Sequence, residues 1–229
     1  MTALYIILIL LALAIAAVFT FKRAYKTTEF TLLLKTAASI AFIILGCVAL
    51  HGSGNAISIA AIPGLVMGLI GDIYLDLKYV YPKTSAMYTF TGFGAFILGH
   101  IFYLIFLLRQ HGPVGTGLVI SIIIGVIAGI GIYVTPKLMK LDYGQFRIIS
   151  SAYAALLVFL TVYALCVMIA HFSAATLLFF LGILLFLFSD LVLSQIYFGE
   201  GKNTPQYSMI NHASYYLGQI LIAASLFFL

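Results

Sequence analysis

Long apolar runs alternate with short polar connections along the whole chain. Connections such as HGSGN at 51–55 and KYVYPKTS at 78–85 carry most of the glycine, proline and charge, as expected at helix ends. A helix needs about 20 mostly apolar residues to cross the hydrocarbon core of a bilayer. On that length scale the pattern predicts about eight transmembrane helices, at residues 2–20, 30–50, 56–77, 86–108, 115–135, 146–170, 173–198 and 207–229.

The composition supports lipid as the solvent of this chain. Of its 229 residues, 64% are hydrophobic and only 7% are charged, too few polar side chains to cover the surface of a soluble protein. We therefore predict an all-α membrane protein with a single transmembrane domain over residues 1–229. Cys47 and Cys166 both lie in apolar runs, so no disulfide framework is indicated.

The basic residues predict the orientation of the helices. The connections on one side carry Lys22, Arg23, Lys26, Lys78, Lys83, Lys137, Lys140, Arg147 and Lys202, whereas the other side carries only Arg109. By the positive-inside rule the first set is cytoplasmic, so both termini are expected on the non-cytoplasmic side. The first run lacks a preceding positive segment and is expected to be a retained helix.

Asp72 and Asp190 are the only two of the six acidic residues that lie well within apolar runs. A charged side chain at depth in a bilayer costs several kcal/mol, roughly +2.5 to +3.5 on insertion scales, so each acid needs a partner or a wet cavity. The helices that carry them both run toward the cytoplasm in this topology, which puts the acids in the same leaflet. Asp76, one turn beyond Asp72, is expected to be a solvated helix end.

An internal repeat relates the two acids. They are 118 positions apart, as are Lys35 and Tyr153, and the LGH that ends at His100 is followed 119 positions later by LGQ. Four helices per half preserve the direction of the chain. We therefore predict two parallel four-helix repeats, about 1–112 and 113–229, around an axis along the membrane normal, with a site between them.

Other polar residues at depth have both a structural and a functional interpretation. Lys35 either extends to the interface or is a counter-ion or phosphate contact. Three tyrosines and one glutamine are either interfacial aromatic or interhelical hydrogen-bonding groups, or they line a site: Tyr153, Tyr215, Tyr216 and Gln219. Asn211 and His212 remain undecided. A zinc site of Asp, Asp and His, as in hydrolases resembling alkaline ceramidases, is an alternative; with one His clearly at depth and no repeated ligand spacing, we expect no metal and no cofactor.

Four motifs together resemble the YhhN family of eight-helix membrane proteins, whose characterised members are lysoplasmalogenases. They are GDIYL at 71–75, GFGAFILGHIFY at 92–103, FSDLVLS at 188–194 and YYLGQILI at 215–222. Lys35 in LLLKTAA resembles a lysine of the family, although Thr36 follows it where many relatives have proline. The resemblance covers essentially the whole chain.

The resemblance implies an intramembrane hydrolase that cleaves the vinyl ether bond of lysoplasmalogens into a fatty aldehyde and a glycerophospho-head group. Asp72 and Asp190 would be its two catalytic carboxyl groups, one as an acid and one ionised. We expect substrate contacts from Lys35, His100, Tyr103, Tyr153, Tyr216 and Gln219. The expected partners are a lysophospholipid within the bilayer and membrane lipids, without nucleic acid or a protein partner. The expected location is the bacterial inner membrane, with the site in the cytoplasmic leaflet.

Two alternatives share these sequence features. A transporter of lipids or small molecules also uses repeats and buried acids, but it needs a pathway that reaches both faces of the membrane. A hydrolase of another lipid ether, ester or epoxide would use the same fold and the same acids.

Overall fold

The computed structural model describes residues 2–136, 138 and 140–229. Lys137, counted above among the basic connections, lies outside the described residues. Within them the chain forms eight α-helices, as predicted, and the all-α membrane fold is confirmed. The helices are α1 Thr2–Tyr25, α2 Glu29–Ser53, α3 Ile62–Val80, α4 Ser85–His111, α5 Gly115–Val134, α6 Arg147–Ala170, α7 Ala174–Phe198 and α8 Pro205–Ser225.

The third predicted helix is divided in the structure. Residues Ala56–Ala61 form a 3₁₀-helix, and α3 begins only at Ile62. Pro63 lies in the first turn of α3. The N–H groups of the first turn make no intrahelical hydrogen bond, so the N–H that proline lacks is not needed there, and its fixed φ favours a helix start. The polar end of α3, which carries Asp72, continues to Val80, three residues further than the hydrophobic run predicts.

The last helix, α8, is the most enclosed of the bundle. In the part of the chain that the structure describes, seven helices are long and apolar enough to span a membrane, and α8 is not one of them. It packs against α1, α2 and α7, and polar residues such as Asn211, Tyr215 and Gln219 are buried along it. Its polar side chains lie on the face that packs against protein, whereas Ile210 and Leu217 form part of an exposed apolar stripe on the other face.

Two helix pairs approach each other closely at glycines. A Cβ added at Gly99 in α4 would lie 3.2 Å from the carbonyl oxygen of Gly64 in α3. In the second half of the chain, a Cβ added at Gly182 in α7 would lie 2.8 Å from the carbonyl oxygen of Gly218 in α8. These glycines are separated by the same offsets, 118 and 119, as the polar residues of the predicted repeat. The repeat itself stays a prediction.

One end of the bundle, here called the basic face, is formed by connections 26–28, 81–84 and 199–204 and by the described residues 135–136, 138 and 140–146. Of the described connection residues, Lys26, Lys83, Lys140 and Lys202 lie on this face, and Arg109 lies near the opposite end of α4. Basic residues are thus segregated to one end of the bundle, which is the feature that orients helices in membranes.

Cysteine labelling is expected to place the basic face in the cytoplasm. In a variant without Cys47 and Cys166, Lys26→Cys and Lys202→Cys should react with an impermeant thiol reagent only after the cells are opened. His51→Cys and Pro113→Cys, which lie at exposed positions of the other face, should react in intact cells. Labelling in detergent controls for accessibility, and the reverse pattern would move the site to the other leaflet.

Candidate functional site: two buried carboxyl groups

Asp72 lies in the second half of α3 with its carboxylate fully partnered. Its side chain is 2% exposed. Ser39 donates a hydrogen bond of 2.6 Å and Tyr215 one of 2.8 Å to Oδ2, and Lys35 Nζ lies 3.4 Å from Oδ1. A cation and two hydroxyl donors compensate the lost hydration of the carboxylate, as burial in the bundle requires.

Asp76 is buried as well, so the prediction of a solvated helix end was wrong. Its side chain is 1% exposed and pairs with Lys35 Nζ at 3.3 Å and with Arg23 Nε at 3.3 Å. One helical turn separates Asp76 from Asp72, so both acids face the same side of α3. Arg23 at the end of α1 and Lys35 on α2 cover that side, which leaves both acids almost fully buried.

The four charged groups form an ion-pair chain in the order Arg23, Asp76, Lys35, Asp72. It runs from the basic face into the bundle, and its two cations balance its two carboxylates. Lys35 is 5% exposed and pairs with both acids. Of the interpretations of Lys35, the structure therefore supports the counter-ion, which does not exclude a contact with substrate phosphate.

Asp190, the predicted repeat partner of Asp72, lies on α7 and has different partners. Tyr153 donates a hydrogen bond to its Oδ2, and Ser189 Oγ lies 3.5 Å from its Oδ1. Across the described residues, the salt bridges include Asp72 and Asp76 but not Asp190. The predicted repeat partners Lys35 and Tyr153 thus each contact the acid of their own half, one as a cation and the other as a phenol.

Both acids line one polar cavity of about 30 Å³, which is room for roughly two water molecules. Its walls come from the half of the bundle next to the basic face, and Asn211 anchors one of them by donating a hydrogen bond of 2.7 Å to the carbonyl oxygen of Ser189. The cavity brings together the two carboxyl groups that the sequence singled out. Its polar lining includes Arg23, Lys35, Asp72, Asp76, Asp190, Asn211 and His212.

An apolar cleft adjoins the polar cavity on the side of α6 and α7. It encloses about 70 Å³ and is lined by Phe93, Ala154, Leu157, Leu187 and Leu191, among others. Asp190, Leu193 and Tyr197 line both spaces. The Asp190 carboxyl group therefore stands at the boundary between a charged compartment and a hydrocarbon-like one.

Tyr103 and Gln219 are connected to Asp72 by a chain of hydrogen bonds through Tyr215. Tyr103 donates a hydrogen bond of 3.0 Å to Gln219 Oε1, and Gln219 Nε2 donates one of 3.2 Å to the Tyr215 hydroxyl, which in turn donates to Asp72. Neither Tyr103 nor Gln219 is among the residues that line the polar cavity. Their direct contact with substrate stays a prediction, and their observed role is to orient Tyr215.

Tyr216 holds α2 against α8. Its hydroxyl donates a hydrogen bond of 3.3 Å to the carbonyl oxygen of Lys35 and lies 3.3 Å from Ser39 Oγ. It therefore positions the two α2 residues that partner Asp72. His212, on the same helix, lines the polar cavity, and its Nδ1 lies 2.7 Å from the carbonyl oxygen of Ser208.

His100 is buried among aromatic rings at 1% exposure. Its ring centroid lies 4.9 Å from that of Phe186 and 5.4 Å from that of Tyr153. Neither ring nitrogen has a hydrogen-bond partner among the described residues, so His100 reaches Asp190 only through the ring of Tyr153. Over the same part of the chain, no group of three or more His, Cys, Asp and Glu side chains is placed to hold a metal; that the protein uses no metal stays a prediction.

Four side chains of this site are not among the predicted catalytic and substrate-binding residues: Arg23, Ser39, Asp76 and Tyr215. Asp76 carried a usable signal, because it lies one turn from Asp72 on the same helical face. Arg23 was counted only for its effect on topology. Ser39, one turn beyond Lys35, is indistinguishable in sequence from any small residue at a helix contact.

Comparison with known proteins agrees with the motifs. The family model of the YhhN family matches residues 30–226, a range that contains both acids, Lys35 and every other predicted site residue. No curated protein and no solved structure matches the chain. By the extent of the family match, the chain belongs to the YhhN family, a lysoplasmalogenase-like family of membrane proteins.

Proposed function

We propose that this protein hydrolyses the vinyl ether bond of lysoplasmalogens within the membrane. The observation that carries the proposal is that two carboxyl groups line one small polar cavity while only one of them, Asp72, has a cation. Hydrolysis of a vinyl ether needs a proton donor and a negative charge that stabilises the resulting cation. Membership of the family supports the same reaction class.

Charge balance assigns different roles to the two acids in this proposal. The ion-pair chain is neutral when Asp72 is ionised, because Arg23 and Lys35 offset Asp72 and Asp76. A proton on Asp190 keeps the cavity neutral, whereas an ionised Asp190 would add a third carboxylate to two cations and leave an uncompensated charge in the bundle. Asp190 is therefore the proposed proton donor and Asp72 the proposed stabilising carboxylate.

The reaction then proceeds with water as the only co-reactant. Asp190 gives its proton to the alkenyl carbon farther from the ether oxygen, and the π electrons form the new C–H bond. The adjacent carbon and the oxygen share the resulting positive charge, which Asp72 stabilises. Water adds to that carbon and returns a proton to Asp190, giving a hemiacetal. Its C–O bond to glycerol breaks, the hydroxyl proton moves to the glycerol oxygen, and a fatty aldehyde is released.

The position of the cavity favours an enzyme over a transporter. All residues that line it belong to the half of the bundle next to the basic face, from Arg23 at the end of α1 to Tyr215 in α8. A transport pathway would have to reach the opposite face as well. By the positive-inside rule the proposed reaction takes place in the cytoplasmic leaflet of the membrane.

The proposal is tested with purified protein and three lysophospholipids that differ only in an alkenyl, alkyl or acyl linkage. Aldehyde is expected from the alkenyl lipid alone, because neither the saturated ether nor the ester has a carbon–carbon double bond next to the linking oxygen to protonate. In H₂¹⁸O the glycerophospho product should remain unlabelled, since water attacks the alkenyl carbon. Labelled glycerol product, or preferred cleavage of the acyl or alkyl lipid, would contradict the proposal and favour a different lipid hydrolase.

A further inference from the structure

We infer that the apolar cleft beside Asp190 binds the part of the substrate's hydrocarbon chain next to the reacting bond, while the phosphate-bearing head lies toward the cations of the polar cavity. This inference rests on the proposed function and deepens it. The cleft lies between α4, α6 and α7, and its wall consists almost wholly of apolar groups. Phe93, Ala154, Leu157 and Leu187 offer a hydrocarbon chain contacts that resemble those of lipid.

The dimensions of the cleft suit the first part of a lipid chain. Its lining residues on α7 extend from Leu187 to Phe198, which corresponds to ~16 Å at a rise of about 1.5 Å per residue. Most of this length lies between Asp190 and the basic face, and the cleft encloses about 70 Å³, so it holds the methylene groups next to the linkage while the rest of a long chain lies in the bilayer. Leu191, which lines the cleft, is 50% exposed, so the cleft reaches the lipid-facing surface and a chain can enter from the bilayer.

The positions of the cations determine the orientation of the bound lipid. The polar cavity contains Arg23 and Lys35, which can pair with a phosphate group, whereas no cation lines the cleft among the described residues. A lipid with its phosphate on the side of these cations and its chain in the cleft must cross the boundary at Asp190. Its ether linkage then lies between the two acids.

This orientation agrees independently with the role given to Asp190. Protonation of a vinyl ether occurs at the alkenyl carbon on the chain side, and the cationic centre forms on the oxygen side. Asp190 lines the cleft as well as the cavity, whereas Asp72 lines the cavity only. The chain-side carbon therefore faces the proton donor, and the oxygen-side carbon faces the carboxylate that stabilises the positive charge.

Ala154→Phe fills the cleft and is expected to weaken binding of long chains selectively. The probes are saturated ether lysophospholipids with ethyl or hexadecyl chains, which lack the double bond that the reaction needs, so binding is measured without turnover. Because the cleft holds only the first methylene groups of a chain, loss of a few of their contacts at about 0.8 kcal/mol each predicts that the hexadecyl lipid loses about tenfold or more in affinity relative to the ethyl lipid. Ala152→Phe, two residues away at an exposed position, is the matched control and should leave both affinities unchanged.

A photoreactive lysophospholipid with a diazirine among the first methylene groups of its chain tests the same inference on the unaltered protein. Labelling is expected in α6 and α7, on peptides that contain Ala154 or Leu187. The rival location is the groove between α1 and α8, which Leu13 and Met209 line. Labelling there, or an Ala154→Phe effect that is equal for both chain lengths, would overturn the inference.

The outcomes separate this inference from the proposed function. Chain-selective weakening by Ala154→Phe without aldehyde release from any alkenyl lipid would leave the chain site standing and refute the proposed reaction. Normal aldehyde release together with binding that Ala154→Phe weakens equally for both chain lengths would support the proposed reaction and refute the chain site.

Discussion

Asp72→Asn and Asp190→Asn are each expected to lower vinyl ether hydrolysis by about 10²- to 10⁴-fold, the usual contribution of general acid–base catalysis. Asparagine is nearly isosteric and still accepts the hydrogen bonds of Ser39, Tyr215 or Tyr153, but it can neither deliver the proton nor carry the negative charge. The double variant should be little worse than either single one, because the two groups act as a unit. The measurement is aldehyde release by purified protein at saturating substrate.

Asp142→Asn is the matched control for these variants. Asp142 is an exposed residue of the basic face, and its Oδ1 accepts a hydrogen bond of 3.0 Å from the backbone N–H of Gly144. It lines neither the polar cavity nor the apolar cleft, so its variant should keep full activity. Near-normal turnover of a well-folded Asp72→Asn or Asp190→Asn protein would contradict the two-carboxylate mechanism. That acid would then have only a structural role, as a hydrogen-bonding group between helices.

Lys35→Met is expected to destabilise the folded protein by about 3–5 kcal/mol, the range for removing one partner from a buried ion pair. Two carboxylates depend on this lysine, since its Nζ lies 3.4 Å from Asp72 and 3.3 Å from Asp76. Adding Asp76→Asn to Lys35→Met should restore part of the loss, because it removes one of the two carboxylates left without this cation. Unfolding by heat or denaturant in detergent measures the free energy of each variant.

Lys26→Met, at an exposed position of the same basic face, controls for the loss of a positive charge and should leave the free energy of unfolding unchanged within about 0.5 kcal/mol. If Lys35 served only to bind the substrate phosphate, its variant would unfold normally and show a raised Michaelis constant. That result would contradict the structural role that the ion-pair chain gives to Lys35.

The hydrophobic pattern predicted the positions of the eight helices, and seven of them have the length and composition that spanning a bilayer requires. It also singled out Asp72 and Asp190, since a carboxyl group inside an apolar run is costly enough to require a reason. Neither inference depends on how the helices are arranged. The hydrophobic pattern could not predict the features that depend on how the helices pack against one another.

Asp76 shows this limit most clearly. A carboxylate near the end of a hydrophobic run has the same sequence signal whether water or another helix covers it. Its burial follows from the approach of Arg23 on α1 and Lys35 on α2, two helices that are distant from it in the chain. The polarity of α8 is a similar case, because a helix whose polar face packs against protein does not need the hydropathy by which spans are recognised.

The different partners of the two acids have an evolutionary consequence if the predicted repeat arose by duplication. In a symmetric dimer of identical subunits, the two acids would have identical surroundings, and a single proton would reside on either one with equal probability. A chain that contains both halves in one sequence can alter the partner of one acid alone. With lysine beside Asp72 and tyrosine beside Asp190, that equivalence is broken, and a duplicated ancestor could have acquired separate donor and acceptor groups by divergence at one pair of positions.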